Sequence, residues 1–122
     1  MRPAINQSTG KTTVAVGLAA ALTERGTLVQ PFKKGPDYID PMWLVAATGR
    51  ACHNLDYQTM TEAEILATFA RYGHDADLSI IEGNKGLYDG LDLEGSNSNA
   101  ALASLLQAPV VLVLDTQDMT RG

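Results

Sequence analysis

The spacing of apolar residues along this chain switches between a helical and a strand period, and the switches mark the elements. Over residues 11–25, Val14, Leu18, Ala21 and Leu22 fall at i, i+4, i+7 and i+8, one helical face, and Gly26 is placed to end the helix. Residues 27–33 read as a strand through Leu28, Val29 and Phe32, and Pro31 marks it as an edge or irregular one. Gly35, Pro36 and Pro41 forbid a helix over 34–41, so that stretch is a loop carrying Asp37, Tyr38 and Asp40. Residues 42–48 form a short helix closed by Gly49, and 50–60 are irregular. Thr61-Glu62-Ala63-Glu64 has the form of a capping box; Ile65, Leu66, Phe69 and Ala70 follow on one face, with Gly73 as the stop.

Residues 77–81 are a short apolar strand ending at Glu82, followed by a glycine-rich loop over 83–90. A helix over 96–106 buries Leu102, Leu105 and Leu106. Pro109 then opens Val110-Val111-Leu112-Val113-Leu114, the continuous apolar run of a strand covered on both faces, which ends on Asp115. Helices and strands therefore alternate, as in an α/β protein with a doubly wound, mostly parallel sheet whose carboxyl edge carries the site. A phosphate-binding first helix normally follows a buried strand, yet Arg2-Pro3 is a poor strand interior. The expectation is a truncated first strand, with 1–122 a partial domain of a longer protein.

Composition narrows the function more than the fold. Fourteen acidic against nine basic residues give a formal charge of -5, with no basic cluster beyond Lys33-Lys34, which argues against a nucleic-acid partner. No apolar run approaches the roughly 18 residues of a membrane span, and no signal peptide is visible. One cysteine, Cys52, excludes an internal disulfide and suits a reducing compartment, so a cytoplasmic protein is expected. Cys52 and His53 are adjacent, and His74 is the other histidine; this spacing does not make a zinc site.

The candidate chemistry begins at Ala4-Ile5-Asn6-Gln7-Ser8-Thr9-Gly10-Lys11-Thr12-Thr13. A bound polyphosphate needs inward backbone N–H groups, a residue without Cβ at the closest approach, a mobile cation and a small hydroxyl for a metal. Gly10, Lys11 and Thr12 supply the last three in order, although Ile5 stands where the G-x-x-x-x-G-K-[ST] pattern has its first glycine. An ordinary helix start with Thr9 or Thr12 near the cap fits the same residues. Glu82, delivered by a strand end, is where α/β proteins place metal-binding and catalytic acids.

Three blocks together resemble one family. They are the glycine-lysine-threonine-threonine segment, Gln30-Pro31-Phe32-Lys33-Lys34-Gly35-Pro36-Asp37-Tyr38-Ile39-Asp40-Pro41, and Glu82-Gly83-Asn84-Lys85-Gly86-Leu87-Tyr88-Asp89-Gly90. Together they look like the N-terminal ATP-binding domain of the cobyrinate a,c-diamide synthases. Ala47-Thr48-Gly49-Arg50, Asn54-Leu55-Asp56, Leu114-Asp115 and Met119-Thr120-Arg121 fit the same family, so the likeness covers nearly the whole chain. It implies a P-loop NTPase fold of dethiobiotin synthetase-like type, with ATP and Mg²⁺ as cofactors. The implied reaction activates a carboxylate of an anionic tetrapyrrole by phosphoryl transfer, and ammonia from glutamine then attacks. The glutamine-hydrolysing domain that follows in the family is absent from this sequence, and Cys52 reads as a structural thiol.

By match to the family's motifs, Gly10, Lys11, Thr12 and Thr13 bind the phosphates, and Thr12, Asp37 and Glu82 hold the metal. Lys11, Asp37, Tyr38, Glu82 and Asp89 make up the catalytic set, Tyr38 and Asp89 on the substrate side. Lys34 either adds charge near the transferred group or is a solvated loop lysine. Asn84-Lys85 resembles a paralogous group thought to amidate sirohaem, so cobyrinate and a sirohaem-like ring both remain open as substrates. Two other classes stay open. One is a dethiobiotin synthetase-like ligase; the other is a partitioning-type ATPase or binding module, for which a homodimer is the expected assembly.

Overall fold

The computed structural model describes residues 6–35, 37, 40–83 and 99–111, and of residues 6–12 and 40 the backbone alone. Seven elements follow in order: α1 (Asn6–Glu24), β1 (Val29–Lys34), α2 (Asp40–Thr48), β2 (His53–Leu55), α3 (Glu62–Gly73), β3 (Leu78–Glu82) and α4 (Asn99–Leu106). The three strands form one parallel sheet in the order β2-β1-β3. Helices cover both faces, and the α/β class with its doubly wound arrangement is what the alternation of periods predicts.

Strand parity divides the core in two. Val29 and Ile80 pack with Ala19 of α1 and Leu44 of α2 on one face. Phe32, Leu55 and Ile81 pack with Ile65 of α3 and Leu102 of α4 on the other. Phe32 is fully buried, and its ring lies 5.2 Å from that of Phe69 in a tilted pair. Burying one such side chain stabilises the fold by about 1.5–3 kcal/mol.

Pro31 does not mark an edge: β1 is the central strand. The pairing with β2 starts one residue later, at Phe32↔His53, so the ring nitrogen of Pro31 lies just outside that ladder. Its carbonyl accepts from Gln30 Nε2 at 3.0 Å, and the same amide donates to Ala51 O at 2.8 Å. Arg50 Nε donates to Gln30 Oε1 at 2.8 Å, and Arg50 Nη2 reaches Asp75 Oδ1 at 2.8 Å. The buried glutamine is thus fully used, and the Asp75 carboxyl is held below its ordinary range, chiefly by the hydrogen bond from Arg50. The stretch over 50–60, expected to be irregular, supplies β2; three residues are too short a run to show a period.

Three other expectations change. Helix α1 begins at Asn6, so Gly10, Lys11, Thr12 and Thr13 stand in its second turn rather than at its mouth; Asn6-Gln7-Ser8-Thr9 contain no glycine or proline to interrupt a helix. The inward face of α1 is Ala15, Val16, Ala19 and Leu22, while Val14, Leu18 and Ala21 are exposed. A helix apolar almost all round leaves its period without a direction. Val110 and Val111 are exposed and form no strand, whereas 112–115, the rest of the expected strand, lie outside the described residues. Helix α4 begins at Asn99, with 96–98 also outside, and its Leu102 is buried as expected.

Helix α3 confirms its start signal. Thr61 is the N-cap; its hydroxyl accepts from Glu64 N at 3.1 Å, while Glu64 Oε1 accepts from Thr61 N at 2.7 Å. Ile65 and Phe69 turn inward, but Leu66 and Ala70 are exposed. His53 stacks on Tyr72 with ring centroids 3.6 Å apart, and burial, then Arg71, holds its imidazole below the ordinary 6.5. Cys52, packed against the Ala19, Val29 and Leu44 cluster, has its thiol pushed up to about 12, first by burial and then by the Glu82 carboxylate.

Two outcomes are expected. Thr61→Ala removes one side of the capping box and should lower the urea-unfolding free energy by about 1 kcal/mol. Cys52, raised from 9.0 to about 12, keeps its proton where the unfolded chain loses it, so its contribution to stability is whole below pH 9 and lost as pH climbs from 9 toward 12. At pH 8 a thiol-specific reagent should therefore label the folded protein on the order of 1000-fold more slowly than the denatured one; equal rates would refute the buried, protonated thiol.

Candidate functional site

The carboxyl edge of the sheet is built by register. Lys33 pairs with Asn54 on one side and with Glu82 on the other, so three polar side chains form a row on the face covered by α1 and α2. Residues this close to the strand ends are carried past the helices, where an α/β sheet opens to a ligand. Lys33 is 2% exposed and Glu82 is 4% exposed.

The Lys33 ammonium is the centre of the arrangement. Its Nζ lies 3.8 Å from Glu82 Oε2 and 3.8 Å from Asp37 Oδ2, and it donates to Gly83 O at 2.9 Å. An ammonium removed from water needs such partners, because an isolated buried charge costs several kcal/mol. The Glu82 side chain is sealed, whereas the Asp37 side chain is 26% exposed, so the cluster meets solvent on the Asp37 side.

Two asparagines and two glycines set the backbone around it. Asn54 Oδ1 accepts from Asp37 N at 3.2 Å, which fixes the turn that brings Asp37 back beside Lys33. A Cβ on Gly35 would come within 2.8 Å of Asn54 Cγ, so only glycine lets the chain pass. At Gly83 an added Cβ would meet the end of the Asn99 side chain, at the start of α4, with Cγ at 2.8 Å, and that side chain would have to move. Asp56, also buried, serves structure, since its Oδ1 accepts from Gln58 N at 2.9 Å and its Oδ2 from Thr59 Oγ1 at 3.0 Å.

The residues singled out from sequence are placed unevenly. Asp37 and Glu82 are brought together through Lys33. Gly10, Lys11, Thr12 and Thr13 lie on α1, where the Lys11 and Thr12 side chains are outside the description. Tyr38 and Asp89 lie outside the described residues. Lys34 is no solvated loop lysine: it is the last residue of β1 and buried, and strand parity puts it with Leu55 on the face opposite Lys33. The sequence reading missed Lys33, whose signal was a charged residue in the last positions of a predicted strand.

Two carboxylates converging on one cationic centre are a hard-oxygen donor set of the kind Mg²⁺ takes, one that usually keeps few protein ligands. Among the described residues no group of three or more His, Cys, Asp or Glu is arranged for a metal. Nor is any described helix long and apolar enough to cross a membrane.

Comparison with known proteins bears on the family of the chain. Residues 6–116 match the family described as the CobQ/CobB/MinD/ParA nucleotide binding domain. A cobyrinate a,c-diamide synthase of Magnetococcus marinus is 57% identical over 119 residues, 98% of this chain and 26% of that protein. One from Methanosarcina acetivorans is 46% identical over 94% of the chain and 24% of its own length. A hydrogenobyrinate a,c-diamide synthase of Streptomyces coelicolor is 47% identical over 96% of the chain and 24% of its own length. The chain thus spans about a quarter of the curated relatives it matches. No solved structure gives a significant match. With an α/β sheet whose carboxyl edge gathers Lys33, Asp37 and Glu82, and a family match over residues 6–116, the chain belongs to the CobQ/CobB/MinD/ParA nucleotide-binding domain family.

Proposed function

We propose that this chain is the ATP-binding synthetase part of a glutamine-dependent amidoligase that acts on the carboxylates of a cobyrinate-type tetrapyrrole. The observation that carries the reading is the 57% identity, over 98% of the chain, to a protein named cobyrinate a,c-diamide synthase. The Asp37 and Glu82 pair at the carboxyl edge supports it, because phosphoryl transfer needs positioned charge more than covalent chemistry.

In this reading Gly10, Lys11, Thr12 and Thr13 bind the nucleotide phosphates, with the Lys11 ammonium on the transferred group. Thr12, Asp37 and Glu82 would hold Mg²⁺, whose chemistry when bound is to neutralise charge on the phosphate oxygens. The substrate carboxylate attacks the γ-phosphorus of ATP and releases ADP, giving an acyl phosphate. Ammonia derived from glutamine then attacks the acyl carbon, loses a proton and expels inorganic phosphate, leaving an amide. Tyr38 and Asp89 orient the carboxylate and the acyl phosphate. The ammonia would come from a glutaminase part of the whole protein, for which there is room, since this chain spans 26% of the length of its Magnetococcus marinus relative. A sirohaem-like ring rested on Asn84-Lys85, which lie outside the described residues, and the relatives compared are named for corrin-ring substrates.

The test uses full-length protein with ATP, Mg²⁺, glutamine and cobyrinate. Lys11→Ala and Glu82→Gln should each lower amide formation by about 100-fold or more, since the first removes the cation on the transferred phosphoryl group and the second a carboxylate that holds the metal. Turnover unchanged in Lys11→Ala would remove that residue from the phosphate site; parent protein that binds ATP yet forms no amide would overturn the amidoligase reading.

A further inference from the structure

Lys33 is a residue for which the proposed chemistry has assigned no part, and it occupies the position where that chemistry wants a metal. Its Nζ sits 3.8 Å from one oxygen of each carboxylate in the pair, Asp37 Oδ2 and Glu82 Oε2. Its backbone is locked in the central strand between Asn54 and Glu82, while the rotatable bonds of its four-carbon stem allow the ammonium, which donates to Gly83 O, to be re-aimed. A divalent cation held by the same oxygens sits at about 2.0–2.1 Å from each. An ammonium left in its present position would then face that cation at a few ångströms inside a poorly solvated pocket, where like charges repel strongly. The two cations exclude one another.

We infer that Lys33 is the built-in counter-ion of the Asp37 and Glu82 pair, and that a divalent cation binds by displacing it. Before the metal arrives, the ammonium offsets part of the charge of the two carboxylates, one of them buried to 4% exposure. The metal enters from the Asp37 side, where the cluster meets solvent. On its arrival the ammonium leaves the carboxylates and turns to the phosphate group that accompanies the metal, where Lys33 acts as a positioning cation. The competition makes the apo-site a weak metal binder and ties metal capture to a ligand that gives the lysine a second anion. The inference rests on the reading of Asp37 and Glu82 as metal-holding residues.

Mn²⁺ binding to the full chain without nucleotide, measured by calorimetry or by the loss of free Mn²⁺ resonance signal, tests this apart from activity. Lys33→Met should bind Mn²⁺ roughly tenfold or more tightly than the parent, because the competing charge is gone. Lys33→Arg, which keeps the charge, should stay near the parent's Kd, and Glu82→Gln added to Lys33→Met should abolish the gain. Equal Kd in parent and Lys33→Met overturns the competition while leaving the metal site standing. Absence of Mn²⁺ binding in both overturns the metal-site reading and the inference with it. Should Lys33→Met lose its helical circular dichroism, the parent alone decides. Acylation of Lys33 by an amine-reactive ester, followed by mass spectrometry, should accelerate about threefold or more when Mn²⁺ is saturating. An unchanged or slower rate overturns the displacement.

Discussion

An ammonium group that is 2% exposed sets the terms for the whole carboxyl edge of this sheet. A buried lysine charge is tolerated only where oxygens surround it, and among the described residues Asp37, Glu82 and the Gly83 carbonyl supply them. Each source imposes a demand on the backbone. Asp37 lies four residues after Lys33, so the chain leaving β1 must fold back at once. Gly35 permits the turn and Asn54 anchors its far side. Glu82 must arrive from a neighbouring parallel strand at the same level, which the Lys33↔Glu82 register provides. Removing the lysine charge alone would leave two carboxylates facing each other, a loss of the order of 3–5 kcal/mol for a buried pair.

The same cluster acts on the Cys52 thiol. A thiolate gains reactivity beside a positive charge, and Lys33 does act in that direction. Burial and the Glu82 carboxylate outweigh it, so the net shift is upward and the thiol keeps its proton. Proximity to a site is therefore no guide to nucleophilicity; the sign of the surrounding charge decides.

Much of this was legible in the sequence, for identifiable reasons. The α3 cap was readable because a capping box is a local pattern, complete within Thr61 to Glu64. Glu82 was readable because an apolar run ending on a carboxylate is itself the signature of a strand delivering an acid. The inward face of α1 was not, since Val14, Ala15, Val16, Leu18 and Ala19 surround the helix with apolar side chains and only tertiary packing selects Ala15, Val16 and Ala19. β2 escaped because His53, Asn54 and Leu55 earn their strand geometry from pairing with β1. The site was half legible: two carboxylates stood out as motif residues, while the lysine between them was lost among neighbours of the same charge.

That last miss turns on parity. Lys33 and Lys34 are equivalent in composition and adjacent in sequence, yet successive residues of a strand point to opposite faces. Lys33 pairs across with Glu82 on the α1 and α2 face, and Lys34 pairs with Leu55 on the other. A slip of one residue in β1 would exchange them and carry Phe32 out of the α3 and α4 core at the same time. Pro31 opposes that slip on the β2 side. Its nitrogen has no hydrogen to donate, and the ladder with β2 opens at Phe32, immediately beyond it. Shifting the strand to bring Pro31 into that ladder would cost a hydrogen bond as well as the Phe32 burial. The proline that looked from sequence like the mark of an edge strand thus helps to fix the register that presents Lys33, and not Lys34, to the carboxylates.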